Sequence, residues 1–205
     1  MSSFHSILPD SITQSQLYDL LNAAVQPRPI GLITTLGEDS RVNLAPFSYL
    51  TVGGVNPPSV IYSATLDVDG LEKSSLKNVR RHGEFVVNLT TRELEKAVCL
   101  AALSHGATED KLKLCELTPI ESSVVQVPRI AESPFQLECQ VFEILQHGSE
   151  YGSAVYVVGE IVAIHVSSGL WSGEDVLWHD YFPIAKLGGS EYLDLRTSNK
   201  FKIEK

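Results

Sequence analysis

Cysteine is scarce in this chain of 205 residues. Cys99, Cys115 and Cys139 are odd in number, widely spaced and without a CxxC pair. That excludes a disulfide framework and a cysteine-based zinc cluster, and leaves reduced, partly buried thiols. Long apolar runs are also missing: none approaches the roughly 20 residues a helix needs to cross a bilayer. Residues 1–5 lack the basic and apolar regions of a signal peptide. Basic residues are outnumbered, 16 Lys and Arg against 25 Asp and Glu, for a formal charge of −9. A chain without a basic stripe is not built to neutralise a nucleic-acid backbone. The expectation is a soluble, cytoplasmic protein with neither nucleic acid nor membrane as partner. Any phosphate it binds must meet a local positive site.

Catalytic signatures are missing as well. No GxGxxG follows a strand, so a Rossmann dinucleotide site has no support. No Gly-x-Ser-x-Gly elbow occurs. The histidines lack metal-ligand spacing. His147 and His165 are isolated, and His179, in Trp178-His179-Asp180-Tyr181, has no nucleophile signature beside it. Neither a metal nor a catalytic acid, base or nucleophile is expected. Repeats, low-complexity tracts and long linkers are absent too.

What is present is a hydrophobic fraction of 43%, enough for one core. The reading is a single domain over residues 1–205, with a core at about 25–170 and an irregular, aromatic-rich extension at 171–205. Residues 11–24 pattern as a helix, with Thr13 and Gln16 at capping-box spacing. Strands are expected at 30–36, from 42 onward, and at 59–65, 84–89, 120–127, 135–145 and 154–166. The first two form a hairpin, as do the last two. Helices are expected at 71–81 and from the Thr90 and Glu93 capping box to about 103; residues 104–117 read as irregular. Many antiparallel strands with helices outside them point to a mainly β fold, and to a barrel that resolves its own edges.

Four constellations stand out. In Arg41-Val42-Asn43-Leu44-Ala45-Pro46-Phe47-Ser48-Tyr49, Pro46 removes a backbone donor, so the segment cannot run through the middle of a sheet. It reads either as a bulge at a barrel rim or as a surface for a flat, polar-edged ligand. Pro27-Arg28-Pro29 is a rigid entry to the first strand, or a fixed mount for the Arg28 guanidinium. Lys73-Ser74-Ser75 with Asn78 reads as a solvated helix start or as a phosphate cradle. Lys186-Leu187-Gly188-Gly189 with Tyr192 reads as a glycine turn, or as a close backbone approach to something flat.

These segments, taken in order and together with Glu84-Phe85-Val86-Val87-Asn88, closely resemble the flavin reductase-like family of FMN-binding split barrels, the flavoredoxin-type branch in particular. The resemblance runs from about residue 27 to about 192. It implies a Greek-key split β-barrel and a homodimer with FMN near the interface. It also implies hydride transfer from NADH or NADPH to flavin and on to an acceptor, with a redox partner protein among the candidates. The alternative within the family is an electron carrier that holds FMN tightly. Carried over, Asn43, Ala45, Pro46, Phe47 and Ser48 contact the flavin, flanked by Arg28, Thr34 and Thr35. Lys73, Ser74, Ser75 and Asn78 hold the phosphate, and Gly188, Gly189 and Tyr192 close the pocket. Two departures are visible. Relatives often carry an acidic residue and a threonine where this chain has Ser74-Ser75, and an arginine where it has Lys186. The hydroxyl donors and the charge survive; the bidentate fork does not.

Overall fold

The computed structural model describes residues 4–103 and 110–200. A 3-10 turn, Pro9–Ser11, precedes α1 (Gln14–Ala24), whose N-cap Thr13 forms the expected capping box with Gln16. Then come β1 (Arg28–Pro29), β2 (Gly31–Leu36), β3 (Val42–Phe47), β4 (Leu50–Val55), β5 (Pro58–Thr65), α2 (Ser74–His82) and β6 (Glu84–Leu89). They are followed by α3 (Glu95–Ala102), α4 (Lys111–Leu114), β7 (Pro119–Ile120), β8 (Arg129–Ile130), β9 (Phe135–His147), β10 (Ala154–Val166), β11 (Ile184–Lys186) and β12 (Tyr192–Asp194).

The main sheet has seven antiparallel strands in the order β3-β2-β6-β9-β10-β5-β4. Its two edges, β3 and β4, are consecutive in the chain and joined only by Ser48 and Tyr49. The sheet must therefore curl until its edges meet at that corner, yet they do not pair. The result is a barrel split along one seam, with helices outside it, as expected. The connection from β5 through α2 to β6 crosses two strands, β10 and β9, the Greek-key feature of the topology.

Strand alternation sorts the apolar residues to two sides. Ile33, Phe47, Leu50, Tyr62, Phe85, Val87 and Val157 fill the barrel, with Leu76 and Val79 of α2 packed against them. On the other face Ile30, Leu32 and Leu44 pack under α3, α4 and Ile184. Gly159 permits the tightest contact: a Cβ there would lie 2.4 Å from the Phe85 ring.

Several elements differ from the sequence expectation. Of residues 120–127 only Ile120 is paired, as the end of β7; the rest is a loop. β4 was not anticipated, because its Gly53-Gly54 pair reads as a break, which an edge strand tolerates. α2 begins at Ser74 and not at 71, because the Asp67 carboxylate accepts the Leu71 N–H at 2.8 Å and turns the chain first. Thr90 does not cap a helix: its hydroxyl donates to the Ile30 carbonyl at 3.1 Å, and a 3-10 turn precedes α3. Of the stretch expected to be irregular, residues 104–109 lie outside the described residues, and α4 follows under an Asp110 cap. β11 and β12 bring order to the tail: β11 pairs with β1, and β12 with β11.

Candidate functional site

β3 pairs with β2 in unbroken register from Leu36↔Val42 to Gly31↔Phe47. The expected interruption at Pro46 is therefore not a bulge. The Leu44 carbonyl accepts from Lys111 Nζ at 3.2 Å, so Leu44 faces the open side of this edge strand. Pro46, two residues on, faces the same way. Its missing N–H thus falls where no ladder bond is lost, and its carbonyl is left on the open edge. The side chains of Asn43, Ala45 and Phe47 share the barrel face. The Phe47 ring is buried against Tyr62, with centroids 4.8 Å apart, so only its backbone belongs to the edge. Ser48 is half-buried at the corner between β3 and β4.

α2 begins beside this edge. Its start at Lys73 carries no side-chain cap, Lys73 and Ser74 are exposed and Ser75 is buried. The first N–H groups of a helix have no intrahelical partner, and the dipole makes that end attractive to anions. One turn on, Asn78 Nδ2 donates to Thr35 Oγ1 at 3.0 Å, and Asn43 Nδ2 donates to the same oxygen at 3.4 Å. Thr35, Asn43 and Asn78 thus join the helix, β2 and the edge strand at one atom.

Arg28, Gly188, Gly189 and Tyr192 meet elsewhere, in the small β1-β11-β12 sheet, where Arg28 stands opposite Lys186 and Lys186 opposite Tyr192. The buried Arg28 guanidinium donates to the Asn22 and Val25 carbonyls at 2.8 and 2.9 Å, capping the end of α1. It lies 5.7 Å from the Tyr49 ring, whose hydroxyl donates to Asn22 Oδ1 at 3.2 Å. Among the described residues Arg28 Nε is buried with no partner. Lys186 Nζ bonds the Gly189 carbonyl and sits 3.9 Å from the Tyr192 ring centre, so its charge is held inside this turn.

Thr34 faces the opposite way from Thr35. Its hydroxyl donates to the Pro128 carbonyl at 2.7 Å and accepts from Asn88 at 3.3 Å. It belongs to a buried polar network that sequence reading did not anticipate. At the centre is the fully buried Glu138, whose carboxylate accepts from the Ser123, Val124 and Val125 N–H groups at 2.7, 2.7 and 3.1 Å. His165 Nε2 lies 2.6 Å from it, so this histidine is not isolated. Burial alone would raise the Glu138 pKa; the three backbone donors and His165 outweigh that and hold it below the usual range. The only sequence signal was a charged residue inside an apolar strand. A cleft of about 790 Å³ lined by Arg129, Phe135, His165 and Trp171 opens beside this network. It includes none of the residues expected around a cofactor. Among the described residues no cluster of metal ligands occurs, and Cys115 and Cys139 are buried while Cys99 is exposed, all free thiols.

Comparison with known proteins matches residues 24–182 to the flavin reductase like domain. The nitrilotriacetate monooxygenase component B of Bacillus cereus superposes with a TM-score of 0.92 at 28% identity, over 99% of this chain and 100% of that one. The 2-nitrobenzoate 2-nitroreductase of Pseudomonas fluorescens gives 0.87 at 26%, over 98% and 96%. Flavoredoxin of Desulfovibrio vulgaris (Miyazaki F) gives 0.71 at 22%, over 88% and 91%, a likeness of fold.

Proposed function

The chain belongs to the flavin reductase-like domain family, and from that premise we propose that it is an FMN-dependent oxidoreductase taking hydride from NADH or NADPH. The observation that carries this reading is the Asn78–Thr35–Asn43 junction, which ties an uncapped helix start to an open strand edge. The residues on either side suit the two ends of FMN. Lys73, with the Ser74 and Ser75 N–H groups and hydroxyls, is a donor set for a phosphate in an otherwise acidic protein. The edge offers short polar side chains and backbone for a flat ring system: Asn43 and Ser48, the Ala45 backbone and the Pro46 carbonyl.

When bound, FMN supplies the hydride and electron transfer through its own ring system. The chain's residues bind and orient. Lys73 neutralises the phosphate, and Asn78 braces the first turn of α2 against β2. The shared bond to Thr35 sets the Asn43 amide, so its free oxygen is presented in one direction. The orphaned Arg28 Nε is a spare buried donor near the β3–β4 corner. Gly188, Gly189 and Tyr192 close the pocket from the partner chain in the homodimer that we propose. The onward acceptor is free flavin or a redox partner protein, and the setting is cytoplasmic.

An absorbance spectrum of the purified protein, before and after NADH and NADPH, tests this reading. Bound flavin that bleaches on nicotinamide addition is expected. Flavin that stays oxidised would leave an electron carrier, and a colourless protein that fails to quench FMN fluorescence would overturn the reading.

A further inference from the structure

Directly before Lys73 stands a carboxylate, Glu72. This is the wrong charge at the mouth of a phosphate cradle. Its side chain is 23% exposed and is not left facing the helix start: Arg80 Nε, two turns further along α2, bonds Glu72 Oε1 at 2.6 Å. The segment leading in is fastened independently. Asp67 accepts the Asp69 and Leu71 N–H groups, and the Leu66 N–H bonds the Ser153 carbonyl at 3.0 Å. The backbone is thus placed without Glu72. What the Arg80 contact adds is the direction and neutralisation of one charge. The neighbouring Arg81 is paired away from the helix start, with Glu38 of the β2–β3 turn at 2.9 Å.

We propose that Arg80 is a positioning residue for phosphate recognition: it holds the Glu72 carboxylate back from the α2 start, so that Lys73 and the helix N–H groups meet the phosphate without a competing anion. This rests on the phosphate reading of Lys73, Ser74 and Ser75. Released, a unit negative charge about 7 Å from a phosphate dianion weakens its binding by about fivefold at low salt, and by less as salt screens it. Riboflavin, which has no phosphate, does not sense the change.

The test is fluorescence titration of FMN and riboflavin against four proteins: wild type, R80A, E72Q and E72Q/R80A, with R81A as a control for loss of helix charge. In R80A we expect FMN affinity to fall about fivefold at low salt, with riboflavin unchanged and the loss shrinking as salt rises. Adding E72Q should restore FMN affinity to within twofold, and E72Q alone should bind FMN at least as tightly as wild type. A loss that E72Q does not rescue means that Arg80 attracts the phosphate directly or merely supports the helix, and overturns the proposal. So does an R80A protein with unchanged FMN affinity. If R80A fails to fold, a fall in FMN affinity in E72Q alone overturns it. Failure of the underlying reading looks different: wild type itself then binds FMN no more tightly than riboflavin.

Discussion

Asn78 on α2 donates its side-chain amide to the Thr35 hydroxyl oxygen at 3.0 Å, across 43 residues of chain. Asn43 donates to the same oxygen at 3.4 Å. A threonine hydroxyl has two lone pairs, so one atom can accept both. Both amide nitrogens then face Thr35, and both amide oxygens face away from it. A single hydroxyl thereby decides how two candidate ligand-binding amides are presented.

Thr35→Val keeps the shape and removes the acceptor. Two half-buried amides lose their partner, which costs about 1–3 kcal/mol. Urea unfolding should register that loss, and titration of FMN should show weaker binding, because the freed amides rotate. Unchanged stability together with unchanged FMN affinity would mean that the junction is incidental.

Lys73→Ala should weaken FMN far more than riboflavin, because only FMN carries the phosphate. A charge-assisted contact of this kind contributes about 1.5–3 kcal/mol. Paired titrations of the two ligands measure it, and equal loss for both would reduce Lys73 to a surface charge.

Thr34 and Thr35 mark the boundary of what the sequence made legible. Both were expected beside the flavin, since adjacent threonines look alike in a string. Strand alternation sends Thr35 to Asn43 and Asn78, and Thr34 to Pro128 and the Glu138 network. The long strands β9 and β10 were readable because each keeps its apolar pattern over many residues. Residues 121–127 pattern as strand but form a loop, because their backbone donors go to a side chain: Glu138 takes three N–H groups that a ladder would otherwise claim. Such long-range satisfaction leaves no local trace. The Pro46 edge could be foreseen because proline states locally what a central strand forbids.

Glu138→Gln tests that network and has a defined pH dependence. The carboxylate is held below its ordinary pKa in the folded protein. A group depressed on folding contributes its stability above the unfolded value, about 4.3 for glutamate, and loses it as pH falls through the folded value. Wild type should therefore exceed Glu138→Gln by about 3 kcal/mol at pH 7 in urea unfolding, and the gap should shrink as pH drops below about 4. Arg129 and His165 face the same carboxylate, so this is the joint behaviour of the three. A gap that widened in acid would contradict the assignment.

Arg28→Met separates the capping that the structure shows from the flavin contact proposed for the same side chain. The guanidinium caps α1 through the Asn22 and Val25 carbonyls, and its Nε remains a spare buried donor. Methionine fills the volume and leaves the carbonyls unsatisfied, a loss of about 2 kcal/mol. If capping is the main role, amide exchange should quicken at the end of α1, and FMN and riboflavin affinities should fall together or not at all, because the phosphate is not involved. If α1 stays protected and stable while both ligands bind more weakly, the guanidinium serves the flavin ring and the helix contact is secondary. The capping geometry predicts the first outcome: two of the guanidinium's donors are already spent on α1, and only the orphaned Nε is buried and uncommitted.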